Sequence, residues 1–401
     1  MCHLSLHRTF WPVGHGAFYT EQFYNSDNEQ TFCAVYDCGG KDKRVIERNI
    51  DRLLHRNKVV DYLFISHLHK DHINGLPYLY KNGQVRQTFL PLLSHVELVE
   101  TYIYNAIHGE SDGEVDVDSE VQQFVYEIAT GGRSFDTRLT YVTANSIEEG
   151  EKRNGYHPSG SPIESPSLDD EKPFWVYIPV HVKYDATKCS ELVDDLCNKI
   201  NAGIRNSNGD INWKVLQTTL REVDKKQLKL IKDIYKKLFN GNHNAYSMPV
   251  YSGPIADVKL TVYDSNVDYD IDHFWLHRFG YPYIWHHRDI FRRVIPKRLL
   301  PCLYMGDFET KDEQKFDELK RLLDKYYYLV GMQQVPHHFS PYNHNAELYL
   351  QRFWAFGNVD DNGDVSFGQS VSWEIENLVE RPIIITEQED TQFTFRCDFD
   401  V

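Results

Sequence analysis

Residues 67–72 have the sequence HLHKDH and crowd metal-ligand side chains into one short stretch. His67, His69, Asp71 and His72 directly follow residues 62–66, whose apolar character is typical of a buried strand. Side chains at a strand end can converge on one point, because the chain leaves the sheet there and turns. Imidazole nitrogen and carboxylate oxygen bind Zn²⁺, and they also suit Mn²⁺ or Fe. The spacing therefore predicts a metal site, with a solvated histidine-rich turn as the alternative interpretation.

Two later apolar strands end in further side chains of this kind. Residues 303–308 predict a buried strand that ends in Gly-Asp, with the carboxylate on Asp307. Residues 328–335 predict another strand, which leads into His337 and His338. An aspartate and a histidine pair delivered in this way are what a binuclear metal site needs for closure.

Two residues upstream are candidates for supporting the metal loop. Asp37 ends a predicted strand and precedes two glycines, and His15 lies in a turn at residues 13–16 (VGHG) whose glycines permit unusual backbone angles. Asp37 is interpreted as a carboxylate that orients the metal loop, with a turn or helix-cap residue as the alternative. We expect His15 to lie beside the site in a similar supporting role.

The composition excludes some classes of protein. The chain has 401 residues, of which 41% are hydrophobic and 25% are charged, so a sizeable core is expected and global disorder is not. The formal net charge of −16 argues against a broad basic face for duplex DNA, although it leaves room for a local basic groove.

Cysteines and apolar stretches bear on location. The chain has seven cysteines and no C-x-x-C pair, which indicates free thiols in a reducing cytoplasm. Residues 1–8 lack the apolar core of a signal peptide. No stretch has the ~18 apolar residues that span a bilayer. We therefore expect a cytoplasmic protein that does not enter a membrane.

The periodicity of apolar residues predicts an α/β fold. Strands 3–13 and 31–37 are followed by an amphipathic helix at 43–56, and strand 61–66 then leads into the metal loop. Further strands are predicted at 85–92, 138–143, 174–184, 353–357, 382–386 and 392–396, helices near Pro77 and at 96–107, 120–130 and 311–325, and a long loop at 145–173. The last three strands are expected to cap a sheet.

Two segments differ from the rest in composition and are predicted insertions. Residues 185–240 favour helix and predict a helical pair that packs on the main domain. Residues 255–300 form the second, and residues 272–293 within it concentrate aromatic residues, histidines and arginines. This concentration is interpreted either as a local hydrophobic cluster with edge histidines or as a platform that stacks a base or ring near the metal.

The metal loop resembles the signature of the metallo-β-lactamase fold superfamily. Together with four other motifs in the same order, it makes the chain similar to the hydrolase domain of the ComEC competence protein and its stand-alone relatives. These motifs are residues 13–16 (VGHG), similar to V-G-Q-G; 36–40 (YDCGG), similar to D-G-G; 306–309 (GDFE), similar to T-G-D-x-E; and 335–340 (VPHHFS), similar to H-H-G-S. The resemblance implies a single domain over residues 1–401 with two insertions, built as a four-layer αββα sandwich.

The resemblance also implies how the ligands divide between two divalent metal ions, Zn²⁺ or Mn²⁺. His67 and His69 would hold one ion, and Asp71 and His72 the other. Asp307 would bridge the two ions. One histidine of the pair at residues 337 and 338 would complete the second site, and the motif leaves open which one.

Some positions differ from the family pattern. Phe339 stands where relatives have glycine, and residues 367–370 (FGQS) stand where they often have Y-G-H-P. The superfamily's additional histidine, expected between the metal loop and the Gly-Asp strand, has no obvious match. Its candidates are His95, His108 and His181.

Three functions are compatible with these features. The leading hypothesis is a metal-dependent phosphodiesterase or nuclease acting on a nucleic acid or nucleotide, with Asp71 and Asp307 as its catalytic residues. The first alternative is a hydrolase of a small ester, lactone or lactam. The second is a non-catalytic regulatory subunit with a protein partner in a multi-protein system, such as one for defence.

Overall fold

Two β-sheets pack face to face in the computed structural model of this chain. The structure describes residues 3–108, 115–132, 137–144, 155–165, 173–239, 246–256, 261–268, 300–340, 345–350, 352, 354–359 and 381–401. The first sheet contains β1 (His3–Phe10), β2 (Tyr19–Tyr24), β3 (Gln30–Tyr36), β4 (Val59–Phe64), β5 (Gln84–Pro91), β6 (Arg138–Thr143), β7 (Tyr156–Pro158), β11 (Thr261–Asp268) and β16 (Phe393–Asp400). The second contains β8 (Ile163–Glu164), β9 (Trp175–Pro179), β10 (Val250–Pro254), β12 (Cys302–Tyr304), β13 (Met332–Gln334), β14 (Trp354–Asn358) and β15 (Arg381–Ile385).

Both sheets are mixed. The spatial order is β11-β16-β1-β2-β3-β4-β5-β6-β7 in the first sheet and β15-β14-β13-β12-β10-β9-β8 in the second. Strands β3 to β7 run parallel to one another, as do β12 to β15. The carboxyl ends of β3 and β4 therefore share one edge of the first sheet, and those of β12 and β13 share one edge of the second.

Helices cover the outer faces of the two sheets. They are α1 (Lys43–Leu54), α2 (Lys70–Ile73), α3 (Leu76–Asn82), α4 (His95–Ile107), α5 (Glu120–Thr130), α6 (Thr187–Lys199), α7 (Trp213–Glu222), α8 (Lys225–Phe239) and α9 (Glu313–Leu323). Helices α1 and α3 to α8 join one core cluster with the first sheet, and α9 joins another with the second. None of these helices is long and apolar enough to cross a bilayer.

The core between the sheets is largely aromatic. Phe10 of the first sheet packs on Phe356 of the second with ring centroids 4.1 Å apart. Tyr36 likewise stacks on Tyr304 at 5.0 Å. Since helices lie outside both sheets, the layers follow the order helix, sheet, sheet, helix, and the predicted αββα architecture is confirmed.

Most predicted elements are present with shifted ends. The predicted helices at 43–56, 96–107 and 311–325 correspond to α1, α4 and α9. Strand β2 was not predicted, and the predicted loop at 145–173 contains β7 and β8. The final strand was expected to cap a sheet, but β16 lies inside the first sheet because it pairs with β1 on one side and β11 on the other.

The two predicted insertions differ in what the structure describes. Residues 185–240 contain three α-helices instead of a pair. In the second segment, β11 is an edge strand that pairs with β16, so residues 261–268 extend the first sheet. Residues 272–293 lie outside the described part of the chain. The division into one domain with two insertions stays a prediction.

A buried ion pair ties the sheets together. Arg8 on β1 and Glu21 on β2 are fully or almost fully buried, and the Arg8 Nε donates to the Glu21 carboxylate at 2.8 Å. Three hydroxyl groups from the second sheet donate to the same carboxylate: Tyr177 at 2.9 Å, Ser252 at 2.6 Å and Tyr304 at 2.7 Å. This network offsets the cost of burying both charges.

We expect Glu21→Ala to lower the free energy of unfolding by roughly 3–5 kcal/mol, because it leaves the Arg8 charge buried without its partner. Urea unfolding followed by circular dichroism measures this change. The control is Glu29→Ala, an exposed glutamate just before β3, for which we expect a change within about 0.5 kcal/mol. Equal stability of the two variants would contradict a structural role for the pair.

A second buried carboxylate joins the helical segment to α4. Glu100 is fully buried and accepts a hydrogen bond from the Tyr235 hydroxyl of α8. Burial raises the pKa of Glu100 from 4.5 to about 8, and the bonds from Tyr235 and Thr101 reduce this increase. The folded protein therefore keeps a proton on Glu100 that the unfolded chain releases above pH 4.5.

Because the folded-state pKa of Glu100 is raised, its contribution to stability is fully present below pH 4.5 and is lost as the pH rises to about 8. The expected slope reaches about 1.4 kcal/mol per pH unit. Glu100→Gln should flatten that part of the stability profile, measured by urea unfolding at several pH values. Glu191→Gln, at an exposed position on α6, should leave the slope unchanged.

Candidate metal centre

The candidate ligands and the supporting carboxylate of Asp37 meet where four strands end. Asp37 follows β3, and His67 follows β4. Asp307 follows β12, and His338 follows β13. Since two of these strands belong to each sheet, the side chains approach one another across the edge of the sandwich.

Two groups of side chains can each hold a metal ion. One consists of His67, His72 and Asp307, all buried; the other of His15, Asp71 and His338, which are more accessible. Within each group the ligand atoms lie within 4.8 Å of one another.

The two groups are contiguous because two carboxylates connect them. His72 Nε2 lies 3.3 Å from Asp307 Oδ1 and 3.6 Å from Asp71 Oδ2. His338 Nε2 lies 3.5 Å from the same two oxygen atoms. On the other side of Asp307, Oδ2 lies 3.8 Å from His67 Nε2. Asp307 thus faces imidazoles of both groups.

Asp37 orients the metal loop from behind. Its carboxylate accepts hydrogen bonds from the Ser66 amide and hydroxyl, both at 2.7 Å, and contacts His72 Nδ1 at 2.9 Å. A carboxylate at Nδ1 directs the opposite nitrogen, Nε2, toward the centre. Asp37 adopts a φ of +52°, a strained conformation for a residue other than glycine.

Close backbone approach explains two glycines of the motifs. A Cβ at Gly39 would overlap the carbonyl of Asp71, and one at Gly306 would lie 2.6 Å from Ser66 Cβ and Ser247 Oγ. The loops after β3 and β12 can therefore pack against the metal loop only without side chains at these positions.

Serines support the buried group. His67 Nδ1 lies 3.0 Å from Ser66 Oγ and 3.3 Å from Ser247 Oγ, and Ser247 Oγ accepts the Asp307 amide at 2.8 Å. Neither serine was predicted as a site residue. The signal for Ser66 was its place at the end of the strand, directly before His67.

His69 lies next to the centre but in neither ligand group. Its buried ring lies 4.6 Å from the ring of His67 and stacks on Tyr104 of α4 at 4.0 Å. Tyr104 was not predicted as a site residue, although it lies on the predicted helix 96–107.

The three candidates for an additional histidine lie elsewhere. His181 Nδ1 contacts the Val142 carbonyl at 2.9 Å, and His108 Nδ1 contacts the Tyr104 carbonyl at 3.0 Å. His95 accepts from the Trp213 indole at 3.5 Å. Among the described residues, none of these three joins a ligand group.

Of the two histidines after β13, only His338 belongs to a ligand group of the described chain. His338 contacts the Asn358 carbonyl through Nδ1 at 3.2 Å, which turns Nε2 toward Asp71 and Asp307. His337 lies in neither ligand group of the described chain. Both residues have positive φ, +53° and +51°, so the turn that presents His338 is strained.

His15 lies closer than a supporting role requires. Its Nε2 is 3.6 Å from Asp71 Oδ2, and its ring is 4.0 Å from the ring of His338. The side chain is about half exposed, at 49%. The accessible ligand group therefore opens to solvent on the side of His15.

The charge balance of the cluster fits a cation. Burial opposes ionisation of Asp307, yet His72 and His338 hold the pKa of its carboxyl well below the usual range. Burial also disfavours charge on His72, but Asp71 and Asp307 raise the pKa of its imidazole well above normal. A positive charge is thus favoured among these carboxylates, and a divalent ion supplies it more directly than a proton.

Three imidazole nitrogens show whether the residues present suit a divalent cation. The Nε2 atoms of His67, His72 and His338 are buried and accept or donate no hydrogen bond within the described chain. Buried polar atoms are normally satisfied. Nitrogens turned toward two carboxylates are suited to metal coordination, so the residues present fit a divalent cation.

Comparison with known families agrees with this geometry. Residues 28–135 match the model of the Metallo-beta-lactamase superfamily. The matched segment contains β3, α1, β4 and the metal loop, and the two sheets with their outer helices form a sandwich of the metallo-beta-lactamase type. Members of this superfamily are generally hydrolases and typically bind divalent metals. Among curated proteins, no match is found.

The histidine pair allows a matched test. We expect His338→Ala to weaken Zn²⁺ binding by more than roughly 100-fold. Loss of a residue that only supports a metal ligand costs at most about 100-fold in affinity, and loss of a ligand should cost more. His337→Ala removes the same side chain at nearly the same φ, and should weaken binding by only a few-fold. Competition with a chromogenic chelator measures the affinity, and circular dichroism checks folding. Equal losses in the two variants would contradict the geometric distinction.

Proposed function

We propose that this chain is a phosphodiesterase or nuclease of the metal-dependent hydrolase class. The observation that supports it is the pair of contiguous ligand groups, in which Asp307 and Asp71 face imidazoles from both sheets. Two divalent ions held by these residues, Zn²⁺ or Mn²⁺, would lower the pKa of a bound water and stabilise the charge that develops on the oxygens of a phosphodiester.

The proposed roles follow the positions of the side chains. Asp307, whose carboxylate oxygens face imidazoles of both groups, would contact both ions. His72 groups with His67 at the buried position, and His15 and His338 group with Asp71 at the accessible one. His69, whose ring lies beside that of His67, is proposed as a further ligand at the buried position. Asp37 and the two serines hold the imidazoles in their tautomers and directions. The rigid strand ends keep these groups in place before substrate arrives.

The preference for a phosphodiester is supported by the ComEC-like motif set. Each of the motifs at residues 13–16, 36–40, 306–309 and 335–340 contributes one residue that contacts the cluster: His15, Asp37, Asp307 and His338. A small ester, lactone or lactam substrate is the competing proposal, since the same water nucleophile attacks carbonyl carbon. A cytoplasmic location and a protein partner stay predictions.

A regulatory subunit is the second candidate function. It is favoured by one observation: among the described residues, none of the three candidates for the superfamily's additional histidine, His95, His108 and His181, joins a ligand group. Elemental analysis of the purified protein separates the two proposals. About two Zn or Mn ions per chain support the hydrolase, whereas no metal, even after addition of Zn²⁺ or Mn²⁺, supports the regulatory subunit.

The catalytic test uses Asp71→Asn and Asp307→Asn. Each should lower kcat/KM for bis(p-nitrophenyl) phosphate by at least about 10²–10³-fold, the cost of one electrostatic group in an active site. The control is Asp116→Asn, because Asp116 pairs with Lys70 at 3.7 Å and lies outside both ligand groups. Activity that survives in both variants would contradict the proposed function. Turnover of p-nitrophenyl acetate or a lactam without phosphodiester cleavage would favour the competing substrate class.

A further inference from the structure

An open cleft of about 710 Å³ lies on the outer side of the first sheet, between α1 and strands β1, β2 and β16. We call it the arginine cleft, after Arg48, Arg52, Arg56 and Arg396 in its lining. Asp51 is the one carboxylate among its described lining residues. The whole chain has 43 Lys and Arg against 59 Asp and Glu. The lining of the cleft is therefore rich in positive charge although the chain as a whole is acidic.

Local structure explains why the arginines gather. Arg48 and Arg52 are four positions apart on the exposed side of α1, whose other side buries Ile50, and residues at this spacing are neighbours on a helix surface. Arg56 follows four positions later. Arg396 faces the same cleft from β16, where it pairs with His7 of β1.

The ion pairs between Glu389 and two arginines of the cleft are weak. Glu389 contacts Arg48 at 2.9 Å and Arg52 at 3.0 Å, with all three side chains at least 41% exposed. Exposed ion pairs of this kind contribute about 0–1 kcal/mol and are screened by salt. A stronger anion can therefore replace Glu389 as the partner of these guanidinium groups.

The pKa of His7 is sensitive to the charges that line the cleft. Burial, followed by the charge of Arg396, lowers the pKa of its imidazole to about 4, with a smaller contribution from Arg56. Asp398 acts in the opposite direction. Burial makes the largest contribution, and the charges of Arg396 and Arg56 add to it by disfavouring a further positive charge beside His7.

One backbone segment and the side chain of Asn358 connect the arginine cleft to the metal centre. Trp11 lines it, and the chain runs from Trp11 to His15 within four residues. The Trp11 carbonyl accepts from Asn358 Nδ2 at 3.0 Å, and the Asn358 carbonyl contacts His338 Nδ1 at 3.2 Å. From His7 to His15 the backbone spans at most roughly 27 Å, a distance that a polymer with several phosphates can bridge.

The aromatic residues of the cleft do not offer open faces. Trp11 is 6% exposed and stacks on Phe18, and Tyr24 is 5% exposed. Recognition by base stacking needs accessible rings, whereas guanidinium groups recognise phosphates irrespective of the base. The chemistry of the cleft therefore selects a phosphate backbone.

We propose that the arginine cleft binds the phosphate backbone of a nucleic-acid strand while another part of the same strand lies at the metal centre. This inference rests on the proposed function and makes its substrate a polymer. Binding in the cleft is independent of base sequence, and it positions the strand without taking part in the bond cleavage.

The experiment measures binding of a labelled phosphorothioate single strand, which resists hydrolysis, to the full chain loaded with metal. A strand of about 20 nucleotides exceeds the usual site size of a single-strand module. Arg56→Ala/Arg396→Ala is compared with Arg44→Ala/Arg321→Ala, which removes two exposed arginines outside the cleft lining, paired with Asp42 and Glu318. Fluorescence anisotropy gives the affinity as a function of salt.

The cleft variant should bind roughly 25-fold more weakly at ~0.1 M salt, with a salt slope lower by about 1.4, as expected for two lost phosphate contacts. The control should bind like the unmodified chain. Both variants should hydrolyse bis(p-nitrophenyl) phosphate normally, since this small substrate does not reach the cleft. Homopolymeric and mixed sequences should bind alike.

Three results would overturn the inference: no binding of the strand, equal weakening in both double variants, or full displacement by millimolar inorganic phosphate, which would indicate a small-anion site. A chain that cleaves bis(p-nitrophenyl) phosphate without binding the strand refutes the arginine cleft and leaves the proposed function intact. Strand binding that depends on Arg56 and Arg396, without any phosphodiester hydrolysis, supports the cleft and refutes the proposed function.

Discussion

Carboxylates and imidazoles buried together require a positive charge between them, and the centre of this protein is built around that requirement. Asp71 and Asp307 both lie within 3.6 Å of His72 Nε2. Without a metal, the raised pKa of His72 places a proton there. The surrounding contacts of Asp37, Ser66 and Asn358 all act on the far nitrogens of the imidazoles, so that the near nitrogens face one shared space.

This space exists only because the two sheets hold a fixed relation to each other. His67 comes from the first sheet, and Asp307 from the second. Away from the centre, the buried charge pair of Arg8 and Glu21 connects the same two sheets, with Tyr304 donating to Glu21 from the strand that leads to Asp307. A network that stabilises the sandwich therefore also determines where the ligands meet. The helical layer contributes as well, since Tyr104 on α4 supports the ring of His69.

Charge is unevenly distributed over this acidic chain. The candidate metal centre concentrates carboxylates that a divalent cation would neutralise, while the arginine cleft concentrates guanidinium groups on the outer side of the first sheet. Both lie along one segment, from His7 to His15, and Asn358 contacts that segment and His338 together. The proposed nucleic-acid strand would meet guanidinium groups in the cleft and, with metal bound, a cation at the centre.

Apolar periodicity, a local signal, predicted an α/β chain, and the resemblance of the ordered motifs implied the four-layer fold. The sequence also located the strand ends that carry Asp37, His67, Asp71, His72 and Asp307. Tertiary structure decided what depends on directions in space: that His338 and not His337 faces the carboxylates, that His15 approaches Asp71, and that β16 lies inside a sheet. Local sequence does not encode these outcomes, since they follow from a strained turn, from the approach of two loops, and from pairing between strands almost four hundred residues apart.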